Sequence, residues 1–326
     1  IAVAAGNLIL AIYTGLLAYV GSSTGLSMHL LTRYSFGEKG SYLASFITSI
    51  TQIGWFGVGI SMFAIPIANR FNINVYVLVG ITGILMTSTA YFGGINDLMN
   101  ITPVDKISLI SAISLCIGSF ISGGTVTPDF ARFSKKKMSA VLTTVIAFFI
   151  GNSLMFLFGA IGAMVKGTAE VADVLFSQGL VIPAIIVLGL NIWTTNDNAL
   201  YTSRLGLSNI TKISKKKLVL ISGLIGTVGA IWLNNNFIEF LTFLNSMLPP
   251  IGGIIIADFF FVNKRKYEKI ENVKFKSINP IAIISFLIGF STAHLIKFGI
   301  TAINVLIITI ISYVIGMKLF YKKGTH

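Results

Sequence analysis

The sequence predicts an all-α polytopic membrane protein, and three observations carry that prediction. Of its 326 residues, 54% are hydrophobic and only 11% charged, with a mean hydropathy of +0.86; a soluble domain averages about 25% charged. Its apolar runs are about 20 residues long, the length a helix needs to cross a bilayer core, whereas a transmembrane barrel alternates over ~10-residue strands. Its basic residues gather beside those runs, as Arg132 with Lys135, Lys136 and Lys137, as Lys212 with Lys215, Lys216 and Lys217, and as Lys264, Arg265 and Lys266. That is the pattern of cytoplasmic loops under the positive-inside rule. The net charge of +13 is therefore topological, and no nucleic-acid partner is expected.

In order, the runs give ten spans, at about 1–20, 41–67, 73–93, 105–133, 138–165, 171–201, 214–237, 238–262, 279–297 and 301–320. They form one transmembrane domain over 1–326, and the longest connection is the basic loop of residues 263–277. The chain opens at Ile1 inside an apolar run, so a preceding segment is expected. The single cysteine, Cys116, excludes a disulfide framework and a cysteine metal site and reads as a small buried apolar residue.

The second span carries Gln52 and Trp55 three residues apart, on one helical face. An amide sets a donor beside an acceptor and an indole offers a flat surface, which together suit a planar heterocycle. The same stretch fits a close helix crossing at Gly54, Gly57 and Gly59, with Trp55 as a lipid-facing anchor. The fourth span is interrupted by GSFISGGTVTPD at residues 118–129. Such a stretch unwinds and exposes backbone groups, which a bilayer tolerates only at a cavity or ligand; the plainer reading is a kink. Asp129 and Arg132, three apart, are expected to pair at the helix end.

In the sixth span Asn191, Thr194 and Thr195 fall at i, i+3 and i+4, so one face carries an amide and two hydroxyls. That is a ligand set for a hard cation such as Na⁺, or a set of helix-to-helix hydrogen bonds. In the eighth, Pro249-Pro250 followed by Gly252-Gly253 predicts a kink or hinge, and Asp258 is expected at the interface near Lys264. The remaining spans carry no chemistry of their own. No serine–histidine–acid, metal-ligand or paired-carboxylate set lies in the spans, so an enzyme is not expected. A channel is disfavoured because no ring of filter residues is visible.

Five segments carry a family resemblance: GWFGVGISMFAIPIA, GSFISGGTVTPDFARF, FFIGNSLMFLFGAIGA, LGLNIWTTNDNALY and NNNFIEFLTFLNSMLPPIGGIIIADFF. Across essentially the whole chain they resemble the nucleobase–cation symporter-1 family, and NIWTTNDNALY resembles its bacterial cytosine-transporting branch. The resemblance implies a leucine-transporter-type fold of twelve spans. Two inverted five-span repeats are followed by two C-terminal spans, with the first and sixth spans broken at the midplane. It implies residence in the bacterial inner, cytoplasmic membrane and import of cytosine with Na⁺ by alternating access. About ten of the twelve spans are present: the family's first is absent ahead of Ile1, and roughly thirty residues, one span with its turn, are missing between Gly93 and Ile95.

The resemblance also assigns roles. Gln52 binds the edge of the base, and Trp55 and Phe120 cover its two faces. Gly118, Ser119, Ser122 and Asn191 complete the polar contacts, and Asn191, Thr194 and Thr195 serve Na⁺, the rest of whose site lies in the absent first span. The implied partners are cytosine, Na⁺ and the bilayer, with no organic cofactor and no obligate protein partner. None of the base-binding residues is ionisable, which favours Na⁺ over protons. The alternatives are another nucleobase, allantoin or a hydantoin as substrate, and proton coupling.

Overall fold

A computed structural model describes residues 1–77, 107–166, 171–177 and 179–320, and every regular element among them is helical. In chain order these are α1 (Ala2–Thr24), α2 (Met28–Phe36), α3 (Ser41–Phe71), α4 (Leu109–Thr125), α5 (Pro128–Ala131) and α6 (Lys137–Ile146). They continue with α7 (Asn152–Lys166), α8 (Val171–Ser177), α9 (Val181–Thr211), α10 (Lys215–Asn235), α11 (Phe237–Ile256), α12 (Pro280–Leu295) and α13 (Thr301–Phe320). A wide π turn, Ala147–Gly151, joins α6 to α7, and another, Ala257–Val262, extends α11. Seven helices among the described residues are long and apolar enough to cross a membrane. The 31-residue α9 is not in that set; it carries NIWTTNDN through its middle.

The ends follow local chemistry. The Ser108 hydroxyl accepts from the Ser111 N–H to start α4, and the Asn279 side chain accepts from the Ile281 N–H, with Pro280 in the first turn of α12. Gly25, at φ 69°, closes α1 by donating its N–H to the Gly21 carbonyl.

Two packed groups share the described interior. Buried Leu10, Leu17, Ile117, Leu244 and Leu248 bring α1, α4 and α11 together, with α12 and α13 outside them. Buried Phe56, Ile60, Ala199, Leu200 and Ala230 bring α3, α9 and α10 together. In lipid, small residues set how closely helices approach, and the glycines of α3 act that way. A Cβ at Gly57 would stand 2.5 Å from the Gly226 carbonyl, and one at Gly54 2.8 Å from the Phe240 ring.

Several expectations change. The span read as 171–201 is two helices, parted at Gly179 (φ 78°), and α9 runs on to Thr211. Residues 118–125 do not unwind: α4 stays helical to Thr125, and the break falls at Val126 and Thr127. Pro128 has no N–H to continue the ladder, which ends there. Pro249 and Pro250, where a kink or hinge is expected, lie inside the continuous helix α11. Asp129 does not pair with the Arg132 guanidinium. Its Oδ1 accepts from the Met28 N–H at 2.7 Å and caps α2, while Arg132 donates through Nη2 to the Tyr201 hydroxyl at 2.7 Å. Asp258 is buried, accepting from the Tyr313 hydroxyl at 2.7 Å, from Asn263 Nδ2 at 3.0 Å and from the Tyr267 hydroxyl; an unpaired buried carboxylate would be far costlier. Cys116 is buried as expected. The missing span expected between Gly93 and Ile95 lies outside the described residues.

Candidate substrate and ion site

Trp55 is half-buried and packs against both core clusters, so it sits at the seam between the two helix groups. Its ring is edge-on to Phe237 (centroids 6.0 Å) and Phe240 (5.5 Å), both from the start of α11. One turn earlier on α3, Gln52 is buried and donates through Nε2 to the Ser122 hydroxyl of α4 at 2.8 Å. Ser122 in turn lies 3.5 Å from the Thr51 hydroxyl. Two residues named from distant parts of the sequence thus meet across the seam. The bond satisfies two groups that burial would otherwise penalise, and it holds the amide in one orientation.

The rest of the α4 set is placed less uniformly. Phe120 is half-buried and edge-on to Phe156 of α7 at 5.9 Å; no ring contact joins it to Trp55 among the described residues. Each ring is engaged by a different helix. The Ser119 hydroxyl donates to the Leu115 carbonyl of its own helix at 2.9 Å. Gly118 is buried where α4 meets α11, and a Cβ there would lie 2.6 Å from Asn245 Nδ2 and 3.2 Å from the Leu241 carbonyl. Glycine is what lets the two backbones approach, and Asn245 uses the approach to donate to the Ser114 carbonyl at 3.0 Å.

On α9, Asn191, Thr194 and Thr195 form one exposed face. Both threonine hydroxyls donate to the Asn191 backbone carbonyl at 3.0 Å. Three oxygens are thereby grouped within hydrogen-bond distance, all neutral and hard, which suits an alkali cation better than a transition metal. The oxygen that Asn191 brings to this group is its carbonyl rather than its side chain. Among the described residues the two hydroxyls bond within their own helix, Thr194 also to the Leu190 carbonyl at 3.2 Å. No cluster of three or more His, Cys, Asp or Glu able to hold a metal exists among the described residues.

Sequence reasoning missed the next residue. Asn196 is fully buried between α9 and α3, and its Nδ2 donates to the Phe56 carbonyl at 3.2 Å. Its signal was available: it lies one position beyond Thr195, about 100° around the helix and so off the ion face. At the basic end of the bundle the reading also missed His29, which is buried within 3.2 Å of the Ser45 hydroxyl and 3.3 Å of the Thr202 carbonyl. Burial pushes its imidazole down to about 4, so the ring is neutral at physiological pH and its 3.8 Å approach to Asp129 is not an ion pair.

Apolar spans in two packed groups, with an amide, an indole and hydroxyls at the seam, make a polytopic membrane protein with a polar cleft between its helix groups. The comparisons with known proteins make that class specific. Residues 1–105 and 69–316 match the family described as "Permease for cytosine/purines, uracil, thiamine, allantoin", and the chain belongs to that family. It is 44% identical, over 356 aligned positions, to the cytosine permease of Escherichia coli K12, covering 100% of this chain and 84% of that one. It is 24% identical over 246 residues to the hydantoin permease of Microbacterium maritypicum, covering 70% of this chain and 49% of that one. Among solved structures it resembles Mhp1, a nucleobase-cation-symport-1 family transporter, in a closed conformation with bromovinylhydantoin bound (TM-score 0.74, 18% identity, 97% of this chain and 84% of that one). It also resembles the inward-facing conformation of Mhp1 (TM-score 0.70, 18% identity, 97% and 82%). The leucine-transporter-type fold expected from the sequence is the fold of this chain.

Proposed function

We propose that this protein imports cytosine together with Na⁺ across the bacterial cytoplasmic membrane by alternating access, one helix group rocking against the other around the seam at Trp55. The observation that carries the substrate is the 44% identity, along the whole chain, to a cytosine permease. The local chemistry supports it. Cytosine is small, flat and neutral, with donors and acceptors on adjacent edges. Trp55 and Phe120 supply apolar faces, and stacking is worth roughly 1–3 kcal/mol per base. Stacking tolerates any base, so Gln52, Gly118, Ser119, Ser122 and Asn191 carry the selection. A buried acceptor matched to the exocyclic amine is left facing a carbonyl when uracil binds, which is how such sites reject the wrong base.

Sodium is assigned to the oxygens of Asn191, Thr194 and Thr195, with its remaining ligands in the family's first span. Two features support Na⁺ over protons: the oxygens are neutral, and no proposed base contact is ionisable. One observation favours a proton-coupled alternative, the buried pair His29 and Asp129. The reading that one span is missing between Gly93 and Ile95 is supported by an alignment of 356 positions against a chain of 326 residues.

The test is equilibrium binding to the purified full-length protein, read as quenching of Trp55 fluorescence against a Trp55→Phe control. Cytosine, uracil, adenine and hydantoin are titrated in NaCl and in KCl. Tight cytosine binding that requires Na⁺ is expected. Equal binding of another ligand moves the substrate to a relative, and cytosine binding that follows pH but not Na⁺ moves the coupling to protons.

A further inference from the structure

Asn196 stands between the two halves of the proposed site. Its position on α9 follows Thr195 directly, and the carbonyl it grips on α3 belongs to Phe56, which follows Trp55 directly. The amide fits because Gly59 has no side chain. A Cβ at Gly59 would lie 2.3 Å from Asn196 Oδ1 and 2.9 Å from both Cγ and Nδ2. The carboxamide therefore lies flat in a notch of α3, one turn beyond Trp55.

Asn196 is one of ten described residues with a buried, unpartnered side-chain polar atom, and the one that follows a proposed ion contact along the chain and bonds to the residue following a proposed base contact. Asn196 Oδ1 is buried and has no hydrogen-bond partner among the described residues. A buried acceptor without a donor works against stability, and an apolar residue of the same shape avoids that loss. Helices α3 and α9 also bury Phe56, Ile60, Ala199 and Leu200 against one another, so the pair holds together without the amide. A polar group kept where an apolar one would be more stable points to function.

We infer that Asn196 is a positioning residue that couples the ion to the base. The inference rests on the sodium-coupled reading above and deepens it. Its Nδ2 bond fixes the register of α9 on α3, and so fixes where the Asn191–Thr194–Thr195 oxygens stand relative to Trp55 and Gln52. Ordering of the ion face on α9 is then felt at the aromatic face on α3. By linkage, the factor by which Na⁺ tightens base binding equals the factor by which the base tightens Na⁺ binding. Removing the clasp should shrink that factor and leave each site's own chemistry in place.

The test uses full-length protein and two variants. Asn196→Leu keeps the branched outline of the side chain, at a larger volume, and removes both its donor and its orphan acceptor. In Asn196→Ala with Gly59→Ala, the methyl at 59 occupies the space the amide vacates. For each, cytosine affinity is measured in NaCl and in KCl, and thermal unfolding is followed in detergent. Wild type is expected to bind cytosine more tightly in Na⁺, within the roughly 5- to 150-fold range usual for coupled sites. In both variants the enhancement is expected to fall below about two-fold, and in the space-matched double variant the melting temperature is expected to equal wild type or exceed it. A purely structural asparagine would instead lower the melting temperature and keep the enhancement. Wild-type enhancement preserved in the folded variants overturns this proposal alone. Wild type lacking any Na⁺ effect removes the sodium reading and this proposal with it.

Discussion

Replacing Gln52 by leucine tests the base site at its best-defined contact. Gln52 Nε2 donates to the Ser122 hydroxyl at 2.8 Å with both side chains buried. Leucine keeps most of the volume and removes every polar atom. The Ser122 hydroxyl then loses its amide partner, and the base loses the amide proposed to read its edge. Leaving one buried polar group unpaired costs about 1–3 kcal/mol, which corresponds to roughly 5- to 150-fold in affinity. Ser122→Ala is milder, because it removes the group that orients the amide and leaves the amide itself. One neutral hydrogen bond is worth about 0.5–1.5 kcal/mol, so a loss of roughly 2- to 12-fold is expected. The assay is radiolabelled cytosine binding to purified protein at saturating Na⁺, with thermal unfolding as a check on folding. Gln52→Leu binding cytosine within about two-fold of wild type, while folded, would refute the assignment of this amide to the base.

Other expectations can be checked alongside. Trp55→Ala should abolish cytosine uptake, whereas Trp55→Phe, which keeps a smaller flat ring beside Phe237 and Phe240, should retain part of it, as initial uptake rates will show. Thr194→Ala with Thr195→Ala removes both hydroxyls that meet at the Asn191 carbonyl and should weaken Na⁺ stimulation more than Na⁺-free base binding. Gly118→Ala places a methyl 2.6 Å from Asn245 Nδ2; it should break the bond to Ser114 and lower both the melting temperature and base affinity. Burial holds the His29 imidazole down at about 4, below its usual ~6.5. The stability its neutral form contributes is complete above about 6.5 and is lost as pH falls towards 4, because the unfolded chain binds the proton more readily in that window. Melting temperatures between pH 7.5 and 4.5 should therefore fall less steeply in His29→Gln.

Much of the architecture was legible because a bilayer leaves few options. Long apolar runs with basic flanks placed most of the spans to within a few residues. The segment read as one span from 171 misled because Gly179 breaks it and because YTSRLGLSNIT, too polar to read as a span, still continues α9. The break in the fourth span was read from its glycines and placed too early. A helix tolerates Gly123 and Gly124 when its neighbours pack, and it ended only where Pro128 withholds an N–H. Asp129 shows the limit of local spacing: Arg132 three residues on was the obvious partner, yet the carboxylate caps a helix 101 positions away. At the site, residue types on one face were visible and their use was not. Spacing put Asn191, Thr194 and Thr195 together, but only the structure shows that the two hydroxyls meet a backbone carbonyl. The meeting of Gln52 with Ser122 depends on how α3 crosses α4, which no periodicity encodes. Asn196 escaped notice because it faces away from the polar stripe that drew attention to α9.

The central claim is that cation and base move together, and proteoliposome uptake tests it most directly. Full-length protein is reconstituted, and labelled cytosine uptake is followed with an inward Na⁺ gradient against a K⁺ control, with unlabelled uracil and adenine as competitors. The account predicts uptake that accumulates cytosine only with the Na⁺ gradient and resists both competitors. Accumulation that is indifferent to Na⁺, or that uracil or adenine blocks as well as cytosine does, would contradict it.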